Sequence, residues 1–155
     1  MISLAHIHPM LVHFPIVFIL TLAVFDAAAV VTGRPVTGRG VAGGISTVLA
    51  VLAGGSAVLA MIFGDMALEA AEAGGFSSEI AEIHEGLGST TAIVFAVWAV
   101  LRLILWWRNR PMSMAVNAGI AVLEVAGAGL MLATAYYGGQ LVYDLGVNVA
   151  RAVGG

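Results

Sequence analysis

Apolar residues run along this chain without the interruptions a water-soluble fold needs, and the length of the runs is the first structural signal. Residues 9–31 carry one formal charge, Asp26; residues 41–63 carry none; residues 86–107 carry Arg102 and residues 114–137 carry Glu124. A helix crosses the roughly 30 Å hydrocarbon core of a bilayer in about 20 residues, so each run predicts one span. Gly33, Pro35, Gly38 and Gly40 separate the first two runs, Gly74 and Gly75 lie in a longer second connection, and Asn109 with Pro111 breaks the third run from the fourth. Such punctuation ends helices and turns the chain. The expectation is an all-α, four-helix transmembrane bundle with up-down-up-down topology, forming one membrane domain over residues 1–155.

The first run is read as a retained span rather than a signal peptide. It has no basic segment ahead of it, it is too long for a signal core, and Asp26 interrupts the place where cleavage would fall. After the fourth run, Gly138, Gly139 and Gly146 are expected to turn the chain. The apolar positions Leu141, Val142, Leu145, Val147 and Val149 then predict an interfacial segment over residues 138–155.

Composition supports the membrane reading and removes alternatives. The chain is 61% hydrophobic and only 10% charged, against about one-quarter charged in soluble domains. Six arginines oppose nine acidic residues and lysine is absent, so no basic patch exists for a nucleic acid. Cysteine is absent as well, which excludes disulfides, thiolate metal sites and thioether-linked haem. Any cofactor must be held by histidine, carboxylate, methionine or backbone groups.

Charge placement predicts orientation. Arg34 and Arg39 fall in the first connection, and Arg108 and Arg110 in the third; an arginine bias of this kind marks the cytoplasmic side. Both termini and the connection over residues 64–85 are then expected outside, with Asp65, Glu69, Glu72, Glu79, Glu82, Glu85 and Asp144 on that face. In a bacterium this places a multi-pass protein in the inner membrane with periplasmic termini. Trp106 and Trp107 on one side, and Tyr136 and Tyr137 on the other, suit the two interfaces.

This topology gathers all four histidines, His6, His8, His13 and His84, at the outer end of the bundle. His13 is the one set within a span, where an ionisable side chain is functional by default. His84 opens the third span at a similar level. Two imidazoles from two helices, with no cysteine available, suit axial ligation of haem b, and the favoured pair is His13 with His84. Gly86, Gly88 and Ser89 are expected to leave space for a flat macrocycle. Gly139 and Tyr143, with Gln140 and Asp144, are candidates for the surroundings of the cofactor, through close approach and hydrogen bonds to an imidazole or propionate. His6, His8, His13 and His84 also form the candidate ligand set for copper or zinc, with a carboxylate such as Asp65. A third reading is a cofactor-free structural subunit packed through its small residues. No nucleophile, base and oxyanion arrangement is present to suggest hydrolysis.

Two buried charges are expected to pair: Asp26 and Arg102 lie at equal depth in the first and third spans. Glu124 sits deeper with no cation at its level, so it is assigned either a hydrogen bond to Ser46, Ser56 or Thr21, or a step in a proton path.

The motifs "HPMLVHFPI", "GDMA", "HEGLGSTTAIV" and "GGQLVYDLGVNV" together resemble the small bacterial membrane proteins of the DUF2231 family across nearly the whole chain. The resemblance implies about four spans and a setting beside c-type cytochrome or Rieske modules. It also implies that His8, His13 and His84 occupy the family's histidine positions. Leu145 stands where the resemblance places a further histidine, which leaves a second haem without a ligand unless His6 substitutes. Together these readings predict a membrane electron-transfer subunit of a larger redox complex, in contact with lipid, taking electrons from a donor such as quinol and passing them to a c-type cytochrome docked on the acidic face.

Overall fold

The tetrapeptides "TGRP" (32–35) and "RNRP" (108–111) end two helices in the same way, and they mark the plan of the molecule. In the first, Gly33 adopts φ +72°, with Gly33 N–H donating to Val30 O and Arg34 N–H to Ala29 O. In the second, Asn109 adopts φ +47°, with Asn109 N–H donating to Trp106 O and Arg110 N–H to Leu105 O. A left-handed residue lets the chain fold back onto the last carbonyls of a helix, and glycine or asparagine meets that demand with the least strain. A proline follows each and prevents the helix from resuming.

The computed structural model describes residues 4–147, with side chains described from residue 7. Its helices are α1 (Leu4–Leu11), α2 (His13–Val31), α3 (Val41–Ala73), α4 (Glu79–Trp107) and α5 (Met114–Tyr143). α1 and α2 form one interrupted span, Ile7–Val31, and α3, α4 and α5 supply the other three. α2 packs on α3 and α5, and α4 packs on the same two, so α2 faces α4 across the bundle diagonal. The chain is a four-helix transmembrane bundle with no strand among the described residues.

Polarity is arranged for lipid. Val24, Val97, Val122 and Leu132 are more than half exposed, whereas Asp26, Ser46, Arg102, Asn117 and Glu124 are buried. The interior is otherwise built from small residues: Ala50, Ala53, Gly54, Ala57 and Ala60 line the buried side of α3. A Cβ on Gly54 would lie 2.5 Å from the Phe95 carbonyl oxygen, so only glycine allows α3 and α4 this approach.

The helices differ from their sequence-based limits in two places. The second connection, expected over residues 64–85, is mostly helical: α3 continues to Ala73 and α4 begins at Glu79. At about 1.5 Å per residue, the 33 residues of α3 reach well beyond the hydrocarbon core. Both helices therefore project past the membrane and carry exposed Glu69, Glu72, Glu79, Glu82 and Glu85. Likewise Gly138 and Gly139 do not turn the chain; they are helical, and α5 runs on to Tyr143 before the turn at Gly146, φ +65°. The remainder of the expected interfacial segment, residues 148–155, lies outside the described residues.

Relations found in the first half recur in the second. His8 and His84, Asp26 and Arg102, Gly33 and Asn109, Arg34 and Arg110, and Pro35 and Pro111 are each 76 positions apart. Ala60 and Thr134, and Gly64 and Gly138, are each 74 apart. The bundle is thus two helical hairpins of the same design in the same orientation, the parallel arrangement whose repeat axis lies along the membrane normal.

At the arginine-loop end the two halves are laced together. Val36 N–H and Thr37 Oγ1 both donate to Asn117 Oδ1, at 2.9 and 3.1 Å, and Met112 N–H donates to Thr37 Oγ1 at 2.9 Å. Arg39 caps α4: its Nη2 donates to Trp107 O and its Nε to Trp106 O, and its guanidinium stands over the Trp106 ring. A cation at free carbonyls of a helix C-terminus is favourable.

Inside the same half, Arg102 receives a group from every span. Its Nη2 lies 3.2 Å from Asp26 Oδ2 of α2, donates to Ser46 Oγ of α3, and donates to the Val36 carbonyl at 2.7 Å. Its Nη1 lies 3.3 Å from Glu124 Oε1 of α5. The expected Asp26–Arg102 pair is present. Glu124, however, does have a cation, and its other donor is Trp98 Nε1 at 2.9 Å rather than Ser46, Ser56 or Thr21. The long, forked arginine side chain spans the difference in depth. Replacing Arg102 by leucine strands two buried carboxyl groups and is expected to cost about 3–5 kcal/mol. Changing Asp26 and Arg102 to leucine together should cost less than Arg102→Leu alone. Unfolding of each variant in detergent checks the order.

Candidate functional site

The angular position along the first span decides which histidine enters the bundle. Pro15 has no N–H to donate to the Leu11 carbonyl, but Val12 keeps helical angles, φ −60° and ψ −22°, and the bonds from Val12 N–H to His8 O and from Ile16 N–H to Val12 O carry the span through. α1 then leans on α3, with His8 facing it. His13 lies five positions further along. At about 100° per residue, this turns it to another side of the helix, and it is exposed.

His8 and His84 are therefore the histidines brought together. Their ring centroids are 6.2 Å apart and their planes meet at 75°. The expected partner of His84, His13, is not in this pair. The side chain of His6 lies outside the described residues.

Each ring is held in the same way. His8 Nδ1 is 2.9 Å from the Ala60 carbonyl oxygen of α3, and His84 Nδ1 is 2.9 Å from the Thr134 carbonyl oxygen of α5. A carbonyl can only accept, so Nδ1 carries the hydrogen in both rings. In the neutral imidazole this leaves Nε2 as the atom with a free lone pair. Fixing a ring and its tautomer through the nitrogen that does not ligate is the usual support of a metal-bound histidine.

A glycine one turn beyond each carbonyl makes room for the ring. A Cβ on Gly64 would lie 2.9 Å from His8 Cε1, and a Cβ on Gly138 would lie 2.9 Å from His84 Cε1. Thr134 is itself fastened, its Oγ1 donating to Leu130 O and lying 3.0 Å from Thr91 Oγ1. The backbone carbonyls of Ala60 and Thr134 and the glycines at 64 and 138 were not legible as a set of supports in either half alone. The equal spacing of the two halves is the signal that identifies them.

Other candidates fall elsewhere. Gly86 faces open space, and Gly88 lies beside the Thr134 methyl group. Gly139 lies next to Tyr143, which is 88% exposed and ends α5. Gln140 donates to Tyr136 rather than to an imidazole, and Asp144 is exposed. Among the described residues, no group of three or more histidine and acidic side chains is placed to hold a metal ion. The imidazole pair supplies two nitrogen donors.

Fold and site define an α-helical, multi-pass membrane protein with an imidazole pair at the end opposite its arginine loops. The chain matches a family described as predicted membrane protein, DUF2231, over residues 5–151, and it belongs to that family. Comparison with curated proteins gives no match, and comparison with solved structures gives none.

The glycine seats carry a direct test. Gly64→Ala and Gly138→Ala are each expected to displace one ring and remove its imidazole Nδ1–H signal from the proton NMR spectrum of the solubilised protein. Gly55→Ala, where nothing lies within 4 Å, should leave both signals in place.

Proposed function

We propose that this protein is a membrane electron-transfer subunit that binds haem b between His8 and His84. The observation that carries the reading is the pair itself: two imidazoles on diagonally opposed spans, each tied through Nδ1 to a neighbouring helix, with Nε2 left for a ligand. Two imidazoles sharing one metal ion through nitrogens at about 2 Å have ring centroids roughly 6 Å apart, in accord with the separation found. A pair of donors suits a metal that arrives with four nitrogens of its own. A zinc site asks the protein for three or four ligands, and the described residues offer no such group. This favours haem over a zinc site built from the described residues.

When bound, haem supplies a one-electron couple at its iron. The chain's part is to hold it. The Nε2 atoms of His8 and His84 would hold the haem iron, while the carbonyls of Ala60 and Thr134 keep the rings in the required tautomer and Gly64 and Gly138 let the rings reach their positions. The helices around them half-bury both rings.

The partners follow from the surface. Glu69, Glu72, Glu79, Glu82 and Glu85 lie exposed on the ends of α3 and α4 that project beyond the membrane, close in sequence to His84. An acidic surface at the electron-exchange end steers a basic soluble carrier, such as a c-type cytochrome. The reductant is assigned to the class of membrane-dissolved quinols, and the setting to a larger redox complex. The arginine loops support a cytoplasmic location for the other end of the bundle by the positive-inside rule, and the reading puts the histidine end and both termini in the periplasm of a bacterial inner membrane.

Absorption spectroscopy tests the cofactor. After haem-replete expression, the dithionite-reduced protein should show a low-spin α-band that His8→Ala and His84→Ala each abolish and His13→Ala leaves intact. A wild type without a Soret band, or a band that survives both His8→Ala and His84→Ala, rejects the reading. Orientation has its own check: reporter fusions at residues 36 and 110 are expected to report a cytoplasmic location, and a periplasmic signal from either reverses the topology.

A further inference from the structure

The buried charges around Arg102 do not balance. Asp26 is fully buried, Arg102 is 1% exposed and Glu124 is 2% exposed. One guanidinium therefore faces two carboxyl groups in a layer closed to water. The other groups that face this layer are uncharged: Ser46 from α3, Trp98 from α4, and the Val36 carbonyl from the first connection. The remaining described arginines, Arg34, Arg39, Arg108 and Arg110, are exposed, and Arg39 is committed to the end of α4. Among the described residues, no second cation reaches the cluster.

The hydrogen bonds show the same deficit. Asp26 Oδ2 accepts from Ser46 Oγ at 2.6 Å and pairs with Arg102, and Glu124 Oε1 accepts from Trp98 Nε1 and Arg102 Nη1. One oxygen of each acid, Asp26 Oδ1 and Glu124 Oε2, is buried without any partner. Both acids sit on the same guanidinium, Asp26 Oδ2 3.2 Å from Nη2 and Glu124 Oε1 3.3 Å from Nη1. Two bare buried oxygens are costly, and so is an uncompensated negative charge in a low-dielectric interior. One hydrogen on either acid removes both difficulties, because it makes one oxygen a donor, leaves the other an acceptor, and brings the net charge of the cluster to zero.

We propose that Asp26 and Glu124, which share Arg102, form a site for a single exchangeable proton within the membrane. The proton is taken from hydronium in the aqueous phase, breaking one O–H bond there and forming one on a carboxyl oxygen, which adds one positive charge to the cluster; release is the reverse. The site is separate from the histidine pair: Asp26 lies 18 positions beyond His8, and Arg102 lies 18 beyond His84, about 27 Å of helix at 1.5 Å per residue. It exists whether or not haem is bound.

Infrared spectroscopy of the full-length protein in nanodiscs at neutral pH tests the site. The wild type is expected to show a protonated-carboxyl C=O stretching band equivalent to one acid per chain, and this band should move to lower frequency in D2O. Glu124→Gln and Asp26→Asn each leave one acid facing one guanidinium, so each variant should lose the band. Absence of the band from the folded wild type overturns the proposal, as does a band that survives in both variants. A band that does not respond to D2O overturns exchangeability. Should one variant fail to fold, the wild-type band and the other variant still decide the matter. The visible spectrum plays no part in these outcomes, so failure here and failure of the haem reading remain distinct.

Discussion

A guanidinium inside a membrane-spanning segment has to be surrounded, and much of this bundle is explained by how Arg102 is surrounded. An unpaired charge at that depth costs several kcal/mol, and a helix pair alone cannot supply enough acceptors. Arg102 uses Asp26 of α2, Ser46 of α3, Glu124 of α5 and the carbonyl of Val36. These groups fix the four spans at one level in depth and in rotation. In lipid this matters more than in water, because apolar helix faces gain little by leaving a solvent as apolar as themselves. Small residues such as Gly54 then set how closely the helices approach. The polar cluster provides register, and the alanine and glycine faces provide contact.

The duplicated plan gives the two ends of the molecule different characters. At the histidine end the repeat is kept: ring, carbonyl and glycine occur twice with matching distances. At the other end it is broken. The position that holds Asp26 in one half holds Arg102 in the other, and Glu124, 74 positions after Ala50, has no acidic counterpart. Two like charges facing one another across the bundle would repel. An acid in one half and a base in the other turn the same position into an attraction that identical halves cannot make. A symmetric end suits two equivalent ligands, whereas the asymmetric end serves cohesion and holds a surplus acid.

The spans, their number and the Asp26–Arg102 pair were legible in the sequence because each rests on length or depth, which a count of residues measures. The pairing of Glu124 with Arg102 was not, because the reach of an arginine side chain and the crossing of helices join groups that such a count places apart. Which histidine faces His84 was not legible for a related reason. Depth favoured His13, but five residues of helix turn it to another, exposed side, and His8 is the ring beside His84. The acidic connection was read as a loop because its glutamates ended the hydrophobic run. Glutamate and alanine are nonetheless good helix formers, and α3 and α4 continue through them once they leave the lipid.

The glycines at 64 and 138 connect these points. A glycine inside a helix costs about 1 kcal/mol relative to alanine, and helix stability alone does not account for its use here. Each lies where a Cβ would meet an imidazole, one turn beyond the carbonyl that accepts that ring's hydrogen. The cost falls on backbone stability, and the return is a ring position that no side chain obstructs. Two helices carry this cost at equivalent positions, at the end of the bundle farthest from the Arg102 cluster. A histidine acting only as a helix cap or an interfacial polar group does not require an opposing helix to give up its side chain. Seating both rings in this way, with their Nε2 atoms left over, is the strongest reason to read the pair as ligands rather than as packing.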